Sequence, residues 1–121
     1  DVGVLSRRGG ELIAVLLWHY HDDDLRGADA AIDLKVAGLR GTYAATLWRV
    51  DGANANAFAA WKAMGSPQSP DAGQYQQLEN ASKLVAEPLR PDSSRRSAAR
   101  LGISLPRQGV ALVVLQPERR R

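Results

Sequence analysis

Hydrophobic and polar residues alternate along most of this chain, and that period of two predicts a protein built mainly of β-strands. The clearest example is Ala31–Ala37, in which three aliphatic residues alternate with Asp33 and Lys35. Turn-forming glycine, proline and aspartate residues separate the segments, so the pattern favours an antiparallel β-sandwich. The predicted strands are Val2–Ser6, Glu11–His21, Ala31–Ala37, Thr42–Val50, Leu84–Leu89, Ala98–Leu105 and Gly109–Gln116.

Two of the predicted strands are apolar on both faces, unlike a strand that has one side in water. In the first, Ile13, Val15 and Leu17 alternate with Leu12, Ala14, Leu16 and Trp18; in the second, Val110, Leu112 and Val114 alternate with Ala111, Val113 and Leu115. The second face needs a cover, and a helical segment is the only candidate within the chain. Two helices of about ten residues cover only part of a sheet. We therefore expect a further partner surface, either another domain or a second copy of this chain.

The helical segment is an insertion over residues 54–81, in the middle of the strand pattern. Asn54 or Asn56 is predicted to cap its first helix. The apolar face of that helix comprises Ala57, Phe58, Trp61 and Met64. Gly65 is predicted to end it. A connection this long between strands is more often functional than a plain linker.

A second helix is predicted after the sequence Gly65–Pro70. Ser69 is a suitable N-cap, Pro70 suits the first helical position, and Asp71 favours the positive helix end. Tyr75 and Leu78 then share one face of this helix. Two polar stretches are predicted to be irregular: a turn at Arg7–Gly10 and a solvated loop over Pro91–Arg100.

Composition limits the classes of protein that need to be considered. With 121 residues, 45% of them hydrophobic, the chain is sized for one globular domain, 1–121. The absence of cysteine excludes disulfides, thiolate metal ligands and a cysteine nucleophile. No apolar run reaches the ~18 residues that span a bilayer, so no membrane partner is expected. The start at Asp1, without an initiator Met, is typical of a processed or excised piece and leaves the compartment open.

The net charge of +3 raises the question of nucleic-acid binding. Such a protein concentrates its basic residues on one face, with aromatics or a recognition helix among them. Here the arginines are scattered and occupy different segments from the aromatics, so no nucleic-acid partner is expected. The only clusters are Arg7-Arg8, Arg95-Arg96 with Arg100, and Arg119-Arg120-Arg121.

The sequence His19-Tyr20-His21, followed by Asp22–Asp24, is the one candidate metal site. Both histidines point to the same side of a strand, and the aspartates offer oxygen ligands. No third ligand is evident elsewhere, however. The favoured interpretation is a strand that leaves the core into an acidic turn ending at Gly27, and neither a metal nor another cofactor is expected.

Catalysis by this chain alone is not indicated. A glycosidase needs two carboxylates on either side of a sugar, one of them with a raised pKa. The glutamates are assigned to turns, exposed helix positions or the tail, and the Asp22–Asp24 run is too solvated to raise one pKa selectively. No nucleophile-elbow motif and no glycine-rich phosphate loop is present. The glutamates are Glu11, Glu79, Glu87 and Glu118.

The large aromatic residues allow two interpretations. They could form a sugar-stacking platform, as in carbohydrate-binding sandwiches, or pack in a small core. Trp18 and Trp48 are expected in the core, whereas Trp61 is expected at an interface. The remaining candidates for a platform are Phe58 and Tyr75.

Four sequence motifs, taken in their order along the chain, resemble the C-terminal β-sandwich domain of glycoside hydrolase family 39 β-xylosidases. They are Leu17–Asp24 (LWHYHDDD), Trp61–Pro70 (WKAMGSPQSP), Gln74-Tyr75 with Leu78-Glu79, and Leu105–Val110 (LPRQGV). The resemblance spans nearly the whole chain. It implies a catalytic (β/α)8 barrel that precedes this domain and carries both catalytic glutamates. It also implies release of terminal xylose with retained configuration, and a kinship with α-L-iduronidase.

One stretch departs from the family pattern, which has a His-Tyr-Arg-Ile-Asp word followed by His-Ser-Asn and a Tyr. Here the residues are Leu47–Asp51 and then Asn54–Phe58. Arg49, Asp51 and Asn56 match, whereas both histidines and the Tyr hydroxyl are lost.

The sequence thus predicts a non-catalytic accessory domain that docks on the barrel of the same enzyme. Trp61, Met64 and Tyr75 are expected to face the barrel or a neighbouring subunit. The alternative is an independent carbohydrate-binding module, which heat on titration with xylo-oligosaccharides would reveal. A self-associating scaffold is a third class. The residues assigned to the interface or to shaping the cleft are Phe58, Trp61, Met64, Tyr75, Arg49, Asp51 and Asn56.

Overall fold

The computed structural model describes residues 1–23, 25–91, 93–95 and 97–118, with only the backbone described for 93–95. Asp24 of the acidic turn, Arg96 and the Arg119–Arg121 cluster lie outside the described residues. The described elements are β1 (Val2–Gly9), β2 (Leu12–His19), β3 (Ala30–Ala37), β4 (Tyr43–Val50), α1 (Ala57–Ala63), α2 (Ala72–Ser82), β5 (Glu87–Leu89), β6 (Ser93–Arg95), β7 (Ala98–Leu105) and β8 (Val110–Pro117).

The eight described strands form two antiparallel sheets that face each other, which confirms the predicted fold. One sheet has the order β1-β2-β8-β4-β5 and the other the order β3-β7-β6. Side chains from the facing sides of both sheets form a shared apolar core, as in a β-sandwich. The most completely buried members of that core are Leu17, Leu47, Leu101, Leu105, Leu115 and Val113.

Two stretches predicted to be irregular take part in strands. β1 continues through Arg7 and Arg8 to Gly9, and the tight turn is left to Gly10, whose φ is +60°. Charged residues are tolerated there because β1 is an edge strand. In the predicted loop Pro91–Arg100, the short strand β6 pairs with β7. That pairing is made by backbone groups, so it needs no apolar pattern; Asp92 of this stretch lies outside the described residues.

The helical hairpin lies between β4 and β5, which are neighbours in the five-stranded sheet. Asn56 caps α1, as one of the two predicted alternatives, and Gly65 follows the helix with a φ of +91°. The predicted start of α2 is wrong. Asp71 rather than Ser69 is the N-cap. Its carboxylate accepts a hydrogen bond from the Gln74 N–H, and the side-chain oxygen of Gln74 accepts one from the Asp71 N–H. Pro70 therefore precedes the helix.

Candidate docking surface

The five-stranded sheet carries apolar residues on the side that faces away from the core. Strand register places them in rows, because residues paired across an antiparallel ladder share a face. Leu5, Leu16, Leu112 and Trp48 form one row across four strands. The neighbouring row comprises Gly3, Trp18, Val110 and Val50. We call this surface the open face; its apolar side chains are Leu5, Leu12, Ala14, Leu16, Trp18, Trp48, Val50, Val110, Leu112 and Val114.

Burial separates the open face from the core face of the same strands. Along β2 and β8, residues on the core side are buried, whereas their neighbours on the open face are only half-buried or exposed. Leu17, for example, is 1% exposed, while Leu12 is 43% exposed. The three-stranded sheet covers the opposite side, so the described part of the chain leaves the open face without a second layer.

Trp18 and Trp48 lie on the open face, which corrects the expectation that they belong to the core. Both are half-buried. The Trp18 indole lies across Gly3 of the neighbouring strand, where an added Cβ would be 2.2 Å from the Trp18 Cε2 atom. The ring therefore lies flat on the sheet and widens its apolar surface, which explains why a glycine stands at this position of β1.

The helical hairpin does not provide the missing layer. Neither helix contains a buried residue. Phe58 and Tyr75 are 61% and 58% exposed. The apolar side of the hairpin is thus a second surface that is open to a partner.

Local contacts nevertheless hold the aromatic residues of α1 in place. The Phe58 and Trp61 rings stack with their centroids 5.7 Å apart, and the Lys62 ammonium lies 4.9 Å from the Phe58 ring centre. The Trp61 indole N–H donates to the Pro67 carbonyl oxygen at 2.8 Å. This bond fastens the Gly65–Pro70 connection to α1. Met64 caps the end of α1 and is half-buried.

The base of the hairpin is organised by Asp51 and Asn56. One carboxylate oxygen of Asp51 accepts from the backbone N–H groups of Ala53 and Asn54, at 2.8 and 2.9 Å, and from the Asn54 side chain. The Asn56 amide donates to the Asp51 carbonyl oxygen, and its own oxygen accepts from the Ala59 N–H. The turn from β4 into α1 is therefore fixed by side chains rather than by a core.

Arg49 connects the two sheets at the same end of the sandwich. Its Nε donates to Glu87 at 3.3 Å, and another guanidinium nitrogen donates to the Ser104 carbonyl oxygen at 2.7 Å. Glu87 begins β5, which agrees with the predicted strand Leu84–Leu89 and corrects the assignment of this glutamate to a turn, an exposed helix position or the tail. Asp29, Arg49, Asp51 and Glu87 line an open groove of about 550 Å³. The three carboxylates of the groove are all engaged within the chain: Glu87 by Arg49, Asp51 by the turn, and Asp29 by the Ser104 hydroxyl at 3.3 Å.

Gln108 joins two of the motifs that resemble family 39, a role that the sequence alone did not predict. Its side-chain amide donates to the carbonyl oxygens of His21 and Asp23, at 2.6 and 3.0 Å, and its backbone N–H donates to His19 O. Gln108 has a φ of +62°, in the left-handed region. A glutamine before Gly109 was the only signal in the sequence. Beside it, the Arg107 guanidinium occupies the space that a side chain at Gly27 would need.

The seven predicted site residues therefore fall into two groups. Arg49, Asp51 and Asn56 lie together at the base of the hairpin, as described above. Phe58 and Trp61 are in contact, with Met64 and Tyr75 on the same hairpin.

Among the described residues there is no group of three or more side chains suited to hold a metal ion. Within that same part of the chain, no helix has the length and hydrophobicity to cross a membrane.

Three solved structures similar to this chain come from much longer enzymes. The family 39 enzyme from Xanthomonas axonopodis pv. citri is 16% identical with a TM-score of 0.77; the match covers 95% of this chain and 26% of that one. A bacterial orthologue of human α-L-iduronidase is 22% identical with a TM-score of 0.78; the match covers 97% of this chain and 22% of that one. A monomeric β-xylosidase from Caulobacter crescentus CB15 is 24% identical with a TM-score of 0.69; the match covers 96% of this chain and 26% of that one.

The chain thus spans about a quarter of the length of these enzymes. A comparison with curated proteins gives no match. A family model described as glycosyl hydrolases family 39 matches residues 7–98, which are 92 of the 121 positions. This chain therefore belongs to glycosyl hydrolase family 39.

Proposed function

We propose that residues 1–121 form a non-catalytic accessory domain that docks on, and supports, the catalytic barrel of the same enzyme. The observation that carries the proposal is the open face, an apolar sheet surface that no described element of the chain covers. Monomeric soluble proteins rarely expose contiguous apolar patches of this kind. The similar enzymes are about four times longer than this chain, so they contain enough additional chain to supply the cover.

The hairpin extends the same surface by a different means. Its base is rigid, because Asp51 and Asn56 satisfy the backbone groups of the turn. Phe58, Trp61 and Tyr75 can then present apolar area without the entropy loss of ordering a loose loop. Aromatic residues on a rigid support are typical of interface hot spots. We assign the aromatic side of the hairpin to contact with the barrel, close enough to its cleft to influence substrate access.

The substrate class follows from the solved relatives rather than from this chain. One of them is named as a β-xylosidase and one as an orthologue of α-L-iduronidase. We propose that the complete enzyme releases terminal xylose with retention. An independent carbohydrate-binding role is less well supported, since the Phe58 ring is stacked on Trp61 and has the Lys62 ammonium above it. Both contacts compete with a sugar ring for the faces of that aromatic.

The decisive experiment places a charge on the open face of the complete enzyme. Leu112 lies in the central strand β8, between Leu16 and Trp48. In Leu112→Glu, docking would bury an unpaired carboxylate, at a cost of about 2–5 kcal/mol. We expect a lower Tm and a reduced kcat/KM. The matched control, Ala37→Glu, adds the same charge on the exposed outer side of β3 and should change the stability by no more than about 0.5 kcal/mol.

Two hairpin variants test separately whether the aromatic side of the hairpin contacts the barrel. Phe58→Ala and Trp61→Ala in the complete enzyme should each lower its stability or its kcat/KM by removing interface area. Phe58→Ala is the cleaner variant, because it breaks no backbone hydrogen bond such as the one from the Trp61 indole to Pro67. Unchanged melting and kinetics in both variants would refute the hairpin's role. Docking itself would be refuted by a Leu112→Glu enzyme that behaves like the Ala37→Glu control.

A further inference from the structure

The two histidines at the end of β2 face each other through the same ring atom. His19 Nε2 lies 2.9 Å from His21 Nε2, and the two rings meet edge to face with their centroids 4.8 Å apart. His19 is 7% exposed, whereas His21 is half-buried and reachable from solvent. The pair thus has one fixed, buried member and one member that borders water.

The surroundings of His19 fix its tautomer. Its Nδ1 lies 3.0 Å from the carbonyl oxygen of Leu105, and because a carbonyl only accepts, Nδ1 must carry the proton. In neutral His19, Nε2 is then unprotonated and directs its lone pair toward His21. A histidine whose Nδ1–H is bonded to a backbone carbonyl is the usual arrangement of a metal ligand, since that bond orients the ring and raises its basicity.

The backbone around the pair is held firmly. The His19 N–H donates to the Gly109 carbonyl oxygen at 3.0 Å, and the Gln108 N–H donates to the His19 carbonyl oxygen. The Gln108 amide holds the His21 carbonyl oxygen from the other side at 2.6 Å. Both rings therefore project from a segment that is tied to the β7–β8 turn, so little ordering is required for them to bind together.

We propose that His19 and His21 bind one divalent transition-metal ion of the Zn²⁺ or Cu²⁺ class through their two Nε2 atoms, with water completing the coordination. Imidazole nitrogen is a preferred ligand for both ions. At Zn–N distances of about 2.0–2.1 Å and a tetrahedral angle, the two nitrogens would lie roughly 3.4 Å apart. The pair needs to open by only about half an ångström from its hydrogen-bonded separation, and the half-buried His21 is the member free to move.

Proton balance permits this exchange without an additional acid or base. In the hydrogen-bonded pair, the proton between the rings belongs to His21 Nε2, because His19 Nε2 is the acceptor. On binding, His21 adopts the other neutral tautomer, with its proton on Nδ1, and its Nε2 lone pair turns to the ion.

The charges nearby place the site among open, exchangeable sites rather than tight structural ones. Arg107 repels a cation, although Asp23 lies 3.4 Å from its guanidinium and offsets part of that charge. Only two protein ligands are present among the described residues, so the affinity should be below that of closed sites with four ligands.

The test uses the complete enzyme and two probe ions, Zn²⁺ and Cu²⁺. Calorimetry with Zn²⁺ in a buffer that does not bind metals should detect one saturable site, which His21→Gln weakens at least about tenfold. Tyr20→Phe, at the exposed residue between the two histidines, is the control and should bind as the parent does. With one equivalent of Cu²⁺, electron paramagnetic resonance should show splitting from two equivalent imidazole nitrogens, reduced to one in His21→Gln.

Equal Zn²⁺ affinity in His21→Gln and the parent would overturn the proposal, as would a Cu²⁺ spectrum without the two-nitrogen splitting. The spectrum of the parent counts ligands directly, so the result does not depend on how well the variant folds. The unfolding midpoint of the parent should also rise with Zn²⁺ and stay constant in His21→Gln, because an ion that binds only the folded state stabilises it.

Discussion

The two sheets of this sandwich differ sharply on their outer sides. The outer side of β3 and β7 carries Asp33, Lys35 and Arg100, and Asp33 is bonded to Arg100 across the strands at 2.9 Å. The open face of the five-stranded sheet instead presents rows of Leu, Val and Trp. One fold thus contains a sheet face suited to water and one suited to a partner. The apolar character of the open face is therefore a local property, not a general feature of how this chain builds strands.

The same contrast exists within the helical hairpin. Its base is a set of polar side chains whose hydrogen bonds close within the chain, at Asp51, Asn54 and Asn56. Its aromatic side chains, apart from the Trp61 indole bond, end in solvent. We infer that the polar residues maintain the shape of the hairpin, while the aromatic residues act only when a partner is present.

The largest effect is expected from comparing the two sides of the five-stranded sheet directly. Leu17→Ala removes a fully buried side chain from the core and should lower the free energy of unfolding by about 2–5 kcal/mol. Leu112→Ala removes a half-buried side chain from the open face and should cost less than about 1.5 kcal/mol in this chain alone. Urea unfolding of the 121-residue chain measures both values. Equal losses would mean that the open face contributes to the chain's own fold.

Alternation in the sequence is enough to predict most strands and the existence of an exposed apolar face. It cannot predict which side of a doubly apolar strand faces the core. Trp18 lies on such a strand, and for both Trp18 and Trp48 size favours burial, whereas the register puts them on the open face. β6 was missed because a short edge strand is held by backbone bonds to β7.

The contacts around Gln108 were also beyond sequence reasoning. They join residues more than eighty positions apart, and the glutamine belongs to no local pattern. By contrast, Asn56 was one of two predicted caps, since cap residues act on their immediate neighbours. Local chemistry therefore narrows the caps to a few candidates, although it favoured Ser69 over Asp71, the actual cap of α2. Pairing between distant loops leaves no such signal.

A smaller effect is expected at the base of the hairpin. Asn56→Ala removes the cap of α1 and the bond to the Asp51 carbonyl oxygen, and should destabilise the hairpin by about 1 kcal/mol. Phe58→Ala should change the stability of the isolated chain by no more than about 0.5 kcal/mol, because the ring is 61% exposed. Hydrogen exchange of the α1 amides reports the difference. Faster exchange in Phe58→Ala than in Asn56→Ala would contradict the division between shape and contact.

The smallest effect is expected on the polar outer side of the three-stranded sheet. The hydrogen bond from Arg100 holds the pKa of Asp33 below its ordinary value of 3.8. A carboxylate with a lowered pKa in the folded state stabilises the fold above its unfolded pKa, and that contribution disappears as the pH falls through the folded value. Asp33→Asn should therefore flatten the acid side of the stability curve below about pH 4.

This effect should be modest and sensitive to salt, because both groups are exposed to solvent. The measurement is the unfolding midpoint of the parent and of Asp33→Asn at several pH values, at low and at high ionic strength. If the open face is the docking side, this side stays in water, and the complete enzyme should show the same difference between the two proteins as the isolated chain. A difference that vanishes only in the complete enzyme would mean that the polar face is also buried there, and the contrast between the two outer faces would no longer identify the docking side.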